Sequence, residues 1–491
     1  MTKHSTYNEN YFLPYRNLTI GSNHSFKTPY GQVPLVYADW TASGRLYKPI
    51  EDKLIKTFGP LVANTHTETN YTGTFMTHAY HEAMQIIKRH VNASNEDVLI
   101  NVGSGMTGAL AKLQRILGLK VPSQVLPYLN FPESEKPVVF VTHMEHHSNQ
   151  TSWFETLADV EIIAPTSEGL VDLNSLSQLL EKYKDRKYKI ASVTSCSNVI
   201  GIQTPYHKIA ALMHAAGGLC FADFACSAPY VAIDMHPANE AESLDAIFFS
   251  PHKFLGGPAS SGVLIFNKKL YGAKQIPDQP GGGTVLWTNP WGEHEYLEDI
   301  EQREDGGTPA FLQTIKTALC IKLKEQMGVE AIREREHQLV GRIFEQLKPI
   351  KNLHILAENI QDRLPVISFY IDEMHYNLGV KMLNDRFGIQ MRGGCSCAGT
   401  YGHYLLGVEK EFSHRITHKI HQGDFTEKPG WIRMSVHPTT TDAELDYILN
   451  ALADLAANHK IWANDYEYVK SGNNFLHKAE IFENIQEMFK L

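Results

Sequence analysis

Seven short apolar runs punctuate the middle of the chain, at residues 97–102, 138–142, 160–164, 190–194, 218–222, 246–249 and 263–266. Each is four to six residues long and is bounded by polar or glycine-rich turns, as strands buried on both faces are. Stretches of helical period lie between several of them, at 173–184 and 207–216. Strands alternating with helices predict an α/β fold with a mostly parallel seven-stranded sheet covered on both sides. Ligands of such a sheet sit at the carboxyl ends of its strands. Upstream, Ala79, Ala83, Ile86, Ile87 and Val91 recur at helical spacing and predict a helix over 77–91. Val33–Asp39 reads as a strand, followed by a small-residue turn at Thr41–Gly44.

Past residue 308 the pattern changes. A long helix over Phe311–Met327, running on over Val329–Leu347, leads to a strand at Leu364–Ile371 and a helix at Leu378–Phe387. This predicts a smaller α+β domain. The expected organisation is an N-terminal arm over 1–30, a large domain over 31–310 and a small domain over 311–491. Within the last, residues 401–430 are polar and histidine-rich and end in Lys-Pro-Gly, the composition of a long surface insert.

A chain of 491 residues with 43% hydrophobic and 20% charged residues is that of a soluble protein with a large core. The formal charge of −9 argues against a nucleic-acid or anionic-membrane partner. No run approaches the ~20 apolar residues that span a bilayer, and the N-terminus has no apolar targeting core, so a cytoplasmic location is expected. The six cysteines, at 196, 220, 226, 320, 395 and 397, are too sparse for a disulfide framework and form no Cys-x-x-Cys pair. No metal is expected.

Four segments carry chemistry. Gly103-Ser-Gly105-Met106-Thr107-Gly108 follows a strand and opens a helix. It matches the dinucleotide fingerprint, but the acidic residue expected ~20 positions on is missing. Phosphate binding by the helix N-terminus remains. Thr142-His-Met-Glu-His146-His-Ser-Asn149 also follows a strand; its imidazoles suit a metal ligand, a base or a ring stacked on an aromatic group. Asp223 ends an apolar strand, where a carboxylate needs a cation such as a protonated pyridine nitrogen, or else caps a helix. Ser250-Pro-His252-Lys253 ends the next strand; there a lysine amine suits a Schiff base with a carbonyl cofactor, flanked by Ser250 and His252 as phosphate donors, or is a solvated loop lysine.

Taken in order, these segments resemble the fold-type I pyridoxal phosphate enzymes of aminotransferase class V, most of all the cysteine desulfurases and selenocysteine lyases. The resemblance spans residues 33–455. Tyr37-Ala-Asp39-Trp-Thr-Ala-Ser43 resembles the family's opening strand and turn, and Asn64-Thr-His66 its N-x-H segment. Gly105-Met106-Thr107 falls on the Gly-Thr-Thr phosphate loop, with methionine in place of the first threonine. Glu-His146-His-Ser-Asn149 with Trp153 resembles the segment whose first histidine stacks on the cofactor ring. Ser197-Asn198-Val-Ile-Gly201 resembles the one whose asparagine contacts the ring's 3′-oxygen. Gly281-Gly-Gly-Thr284 resembles the turn that crosses to the partner subunit's phosphate, which implies a homodimer.

The resemblance implies pyridoxal 5′-phosphate held by Lys253, with Asp223 on the pyridine nitrogen. Gly105, Met106, Thr107, Ser250, His252 and Thr284 would serve the phosphate, and His146, Asn198 and Cys226 would surround the ring. Arg433, in Trp431-Ile-Arg433-Met-Ser, matches the arginine that forks onto the substrate α-carboxylate, with Arg392 and Asn198 beside it. Met391-Arg392-Gly-Gly-Cys395-Ser-Cys397-Ala resembles the segment of the persulfide-forming cysteine and aligns Cys397 with it. Cys397 as a small buried residue is the alternative; a Cys-x-Cys metal clip is a lesser one. The chain departs from the family at Cys226, which replaces a glutamine, and after Cys397, where the insert replaces a short loop. In the insert His414, His418 and His421 share a helical face, solvated or metal-binding. The implied activity is removal of sulfur from L-cysteine, giving L-alanine and a persulfide, with a small amino acid as substrate and a sulfur-acceptor protein as a partner. Transamination, C–S β-elimination and kynureninase-like cleavage are the alternatives within the family; a non-catalytic relative is the alternative outside it.

Overall fold

The computed structural model describes residues 7–490 except 104 and 131. Ser104 of the glycine turn and the first six residues of the expected arm therefore lie outside the described residues. The chain forms two compact units. The larger comprises 41–198 and 202–333; the smaller comprises the described part of 1–40, together with 199–201 and 334–491.

In the larger unit the seven apolar runs form one sheet: β1 (Asp97–Val102), β2 (Val138–Thr142), β3 (Asp159–Ile163), β4 (Lys189–Thr194), β5 (Leu219–Asp223), β6 (Ala246–Phe249) and β7 (Gly262–Asn267). Their spatial order is β1-β7-β6-β5-β4-β2-β3. β2 through β6 pair in parallel, and β7 is antiparallel to both β6 and β1. The exception has a local cause. The twelve residues between β6 and β7 hold one 3₁₀ turn and no α-helix, whereas a parallel return usually runs through a crossover helix. Every residue of β2, β4 and β6 is buried; β2 and β6 read as nearly unbroken apolar runs, while β4 also buries Lys189, Ser192 and Thr194. Helix α1 (Tyr71–His90) starts six residues before the apolar spacing, because Asn70 caps it by accepting the Gly73 amide at 2.8 Å. Helices α2 (Gly105–Ile116) and α3 (His147–Phe154) follow β1 and β2.

The smaller unit is built on a four-stranded antiparallel sheet, in spatial order Leu353–Ile355, β8 (Val366–Ile371), β10 (Trp431–Ser435), β9 (Arg392–Gly394). Phe369, Leu383, Ile432, Met434 and Leu452 lie in its core. The expected strand at 33–39 is two strands with different partners. Gly31–Pro34 makes a hairpin with Ser25–Thr28, and Val36–Tyr37 pairs in parallel with Ile389–Gln390. Gly388 (φ +69) permits that approach, since a Cβ there would lie 1.8 Å from the Pro34 carbonyl oxygen. These pairings put residues 7–40 in the smaller unit, whereas the sequence places 1–30 in an arm and begins the large domain at 31. The second boundary falls at 333/334, inside the helix Val329–Leu347, and not near 310.

The 401–430 segment is not an irregular loop. It holds two helices, α4 (Gly399–Leu405) and α5 (Lys410–His421), which with Trp431 line an apolar cavity of about 140 Å³. Ile416 is buried on the inner face of α5, so a minority of apolar positions at helical spacing suffices to order a mostly polar segment.

Candidate active site

The chemistry-bearing residues of the larger unit lie at one edge of its sheet, where the carboxyl ends of β1, β2, β4, β5 and β6 emerge. β6 stops at Phe249, and Pro251–Lys253 forms a 3₁₀ turn that leaves Lys253 half-buried. The turn is braced from two sides. The Gly44 amide donates to the His252 carbonyl at 2.9 Å, and the Met106 amide donates to Ser250 Oγ at 2.8 Å. Gly44 cannot be larger, because a Cβ there would stand 1.9 Å from the Phe254 oxygen. Gly105 has φ +63, and its Cβ would meet Ser250 Oγ at 2.9 Å and His252 Cδ2 at 3.8 Å. The glycine turn, Ser250 and His252 thus converge on a cradle that any side chain would fill. Gly105→Ala is expected to cost about 1–2 kcal/mol of stability through the left-handed backbone alone, read by thermal unfolding.

Burial, then the neighbouring Lys253 charge, push the His252 imidazole down to about 4, so it is neutral at pH 7. Asp223 is 3% exposed, and burial raises its carboxyl to about 6 against the opposing effects of the Ala225 amide and the Lys253 charge. The Ala225 amide donates to Asp223 Oδ1 at 2.8 Å; the carboxylate thus caps a turn, not a helix. A buried acid held up in this way is the environment a protonated ring nitrogen would relieve. The folded chain keeps this proton up to about pH 6, whereas an unfolded aspartate releases it near 4. The folded state therefore binds more protons across that window, and its stability falls by about 3 kcal/mol as pH rises through it. Thermal unfolding of the cofactor-free protein between about pH 4 and pH 6.5 should show this fall, and Asp223→Asn should make it shallower, leaving the share contributed by the buried Glu145 carboxyl, which burial raises to about 8.

His146 caps α3, its Nδ1 accepting the Ser148 amide at 3.1 Å, which assigns the neutral ring's proton to Nε2. Thr107 Oγ1 lies 2.7 Å from Ser148 Oγ, joining the first turns of α2 and α3. Beneath them is a residue the sequence reading passed over. Glu145 is 1% exposed and accepts from the Thr142 hydroxyl (2.6 Å), the Thr194 amide (2.8 Å) and Asn149 Nδ2 (2.7 Å). Burial raises it to about 8, with the Asp223 charge adding to the rise. It ties the ends of β2 and β4 to α3 and so fixes the base of the His146 loop. An acid three residues past an apolar strand end was the available signal. Asn149 in turn accepts from the Ser192 hydroxyl (2.6 Å) and the fully buried Trp153 indole (3.3 Å).

Asn198 is 7% exposed. Cys226 is buried, and its thiol donates to the Ser197 carbonyl at 3.7 Å, bracing the turn that carries Asn198. Thr284 is fully buried, its hydroxyl donating to the Gly281 carbonyl of its own turn at 2.7 Å. The adjacent Gly283 lines a cleft of about 620 Å³ with His66, Tyr80, His81 and Asp305. Among the described residues no group of three or more His, Cys, Asp or Glu is placed to hold a metal ion.

In the smaller unit, Arg392 on β9 stands directly across the ladder from Arg433 on β10. Arg433 is 2% exposed, and its Nη2 donates to Asp39 Oδ1 at 2.7 Å; Arg392 Nε donates to Asp39 Oδ2 at 3.1 Å. The sequence reading gave Asp39 no role. The two cysteines of Cys395-Ser-Cys397 diverge. Ser396 (φ +50) and Cys397 (φ +56) form a left-handed turn closed by the Ala398 amide on the Cys395 carbonyl at 2.9 Å. Cys397 is exposed at its tip, while Cys395 lines the apolar cavity of α4 and α5. The other four cysteines are buried. Cys397 is therefore not a small core residue.

The family model for aminotransferase class V matches residues 36–448. The chain belongs to that family. Its class V relatives include a probable cysteine desulfurase of Halalkalibacterium halodurans, 27% identical over 74% of this chain and 84% of that protein. Another is a cysteine desulfurase of Haloferax volcanii, 26% identical over 76% and 83%. The solved cysteine desulfurase of Thermococcus onnurineus shares the fold, with a TM-score of 0.72 and 22% identity over 91% of this chain and 98% of that one. Class V enzymes depend on pyridoxal phosphate, and the glycine cradle and the buried Asp223 suit that group. No helix among the described residues is long and apolar enough to cross a membrane.

Proposed function

We propose that the protein is a cysteine desulfurase: a pyridoxal phosphate enzyme that converts L-cysteine to L-alanine and leaves the sulfur as a persulfide on Cys397. The observation that carries this reading is the exposed Cys397 on its left-handed turn, in a chain whose other cysteines are buried or half-buried. In this reading the α2 N-terminus at Gly105, Met106 and Thr107 holds the phosphate with Ser250 and His252. Lys253 anchors the carbonyl, Asp223 keeps the ring nitrogen protonated, and His146, Asn198 and Cys226 flank the ring. Bound pyridoxal phosphate supplies a sink for negative charge at the substrate's Cα.

The remaining work falls to the chain's own groups. Arg433 and Arg392 bind the substrate carboxylate through their planar forks. Lys253, released when the substrate amine takes its place, moves the proton at Cα. Cys397 as thiolate attacks the substrate Sγ; the new S–S bond forms as the Cβ–Sγ bond breaks, and protonation of the carbon skeleton gives alanine. A homodimer completed by the Gly281–Thr284 turn, a cytoplasmic location and a protein that accepts the persulfide sulfur belong to the same reading.

The test is stoichiometric. L-Cysteine given to the cofactor-loaded protein without a reductant should yield alanine and protein-bound sulfane sulfur in equal amounts in the first turnover. Alanine formed without bound sulfur, or pyruvate in its place, would remove the desulfurase reading in favour of another class V reaction.

A further inference from the structure

We infer that Asp39 is a charge filter that restricts the substrate to amino acids bearing a single acid group. The inference rests on the reading of Arg392 and Arg433 as the carboxylate-binding pair. Two guanidinium groups directly opposed across an antiparallel ladder repel one another. The Asp39 carboxylate sits between them and takes one N–H from each, at 2.7 Å from Arg433 and 3.1 Å from Arg392. Two cations and one anion leave one net positive charge, which matches one carboxylate.

Asp39 is not free to swing aside. Ala38 accepts the Ser435 amide at 2.8 Å, Asp39 itself bridges Ser435, and Trp40 stacks on His437 with ring centroids 4.3 Å apart. Asp39 is 9% exposed and Arg433 is 2% exposed, so water screens the Asp39–Arg433 side of the group poorly, whereas the Arg392 side chain, 49% exposed, is screened more. A substrate with a neutral side chain, such as cysteine, finds one cation's worth of attraction. An acidic side chain brings a second negative charge for which the group holds no remaining counterion.

The test is calorimetric binding of L-alanine and L-aspartate to the cofactor-loaded full chain. In the wild type L-alanine is expected to bind at least about tenfold more tightly than L-aspartate, about 1.4 kcal/mol. Asp39→Asn keeps an oxygen acceptor for Arg433 but removes the charge, and should reduce that preference about tenfold; Asp39→Glu should keep it. An Asp39→Asn protein with the wild-type preference would overturn the filter. Should Asp39→Asn not fold, the half-exposed Arg392 offers a second route. Arg392→Gln lowers the net charge to zero, so it should weaken both ligands and sharpen the preference for L-alanine; an unchanged preference would again overturn the proposal. A preference that shifts as expected, in a protein that forms no persulfide from L-cysteine, would support the filter and remove the desulfurase reading alone.

Discussion

Replacing Lys253 by alanine is expected to lower turnover of L-cysteine by about 10³-fold or more, because one side chain is given two tasks in the proposed reaction. It anchors the cofactor carbonyl and it moves the Cα proton. The two tasks separate experimentally. Loss of the anchor should abolish the absorbance of the covalently held cofactor, while cofactor should still bind through the Gly105–Thr107 cradle, Ser250 and Asp223. Loss of the base should leave the variant able to bind amino acids but unable to exchange the Cα proton with deuterated solvent. Added alkylamines should restore part of the exchange if the missing group is a base. A Lys253→Ala protein with wild-type proton exchange would remove Lys253 from that role. The Gly44 and Ser250 contacts that brace the turn are made by the backbone and by neighbouring residues, so the fold should survive the substitution.

The second large effect is expected at Cys397. Cys397→Ala should reduce alanine formation from L-cysteine on the order of 10³-fold, a loss of about 4 kcal/mol of transition-state stabilisation, and should abolish bound sulfane sulfur. Cys395→Ala should retain most of the activity, since its side chain faces the apolar cavity of α4 and α5. The contrast between the two variants is the measurement. Equal losses would mean that the turn, not the Cys397 thiol, is what the reaction needs. An exposed cysteine on a surface turn has no role in core packing, so a large kinetic loss with little change in Tm would separate chemistry from stability.

The seven apolar runs, the helices that follow them and the order of phosphate turn, histidine loop, aspartate and lysine are all legible in the residues alone. Their causes are local. A strand buried on both faces is mostly apolar, and a chemical group at a sheet's carboxyl edge follows such a run within a few residues. The family resemblance and the lysine's place came from that same local order. So did the long helical stretch of the C-terminal third, which the structure divides at Gly328 (φ +81) into Phe311–Met327 and Val329–Leu347.

Tertiary structure decided what depends on residues far apart in the chain. Nothing near Asp39 marks it as the counterion of Arg392 and Arg433, which lie 353 and 394 residues away; the pairing exists because a short N-terminal strand adds to Ile389–Gln390 and runs on beside Ser435. The same addition places residues 7–40 in the smaller unit. Composition made the 401–430 segment look like a loop, since a few buried positions beside Trp431 are outweighed by the polar ones around them. The two thiols of Cys395-Ser-Cys397 are chemically alike in sequence. A left-handed turn sets one in an apolar cavity and the other in solvent, because two successive residues with positive φ reverse the chain between them.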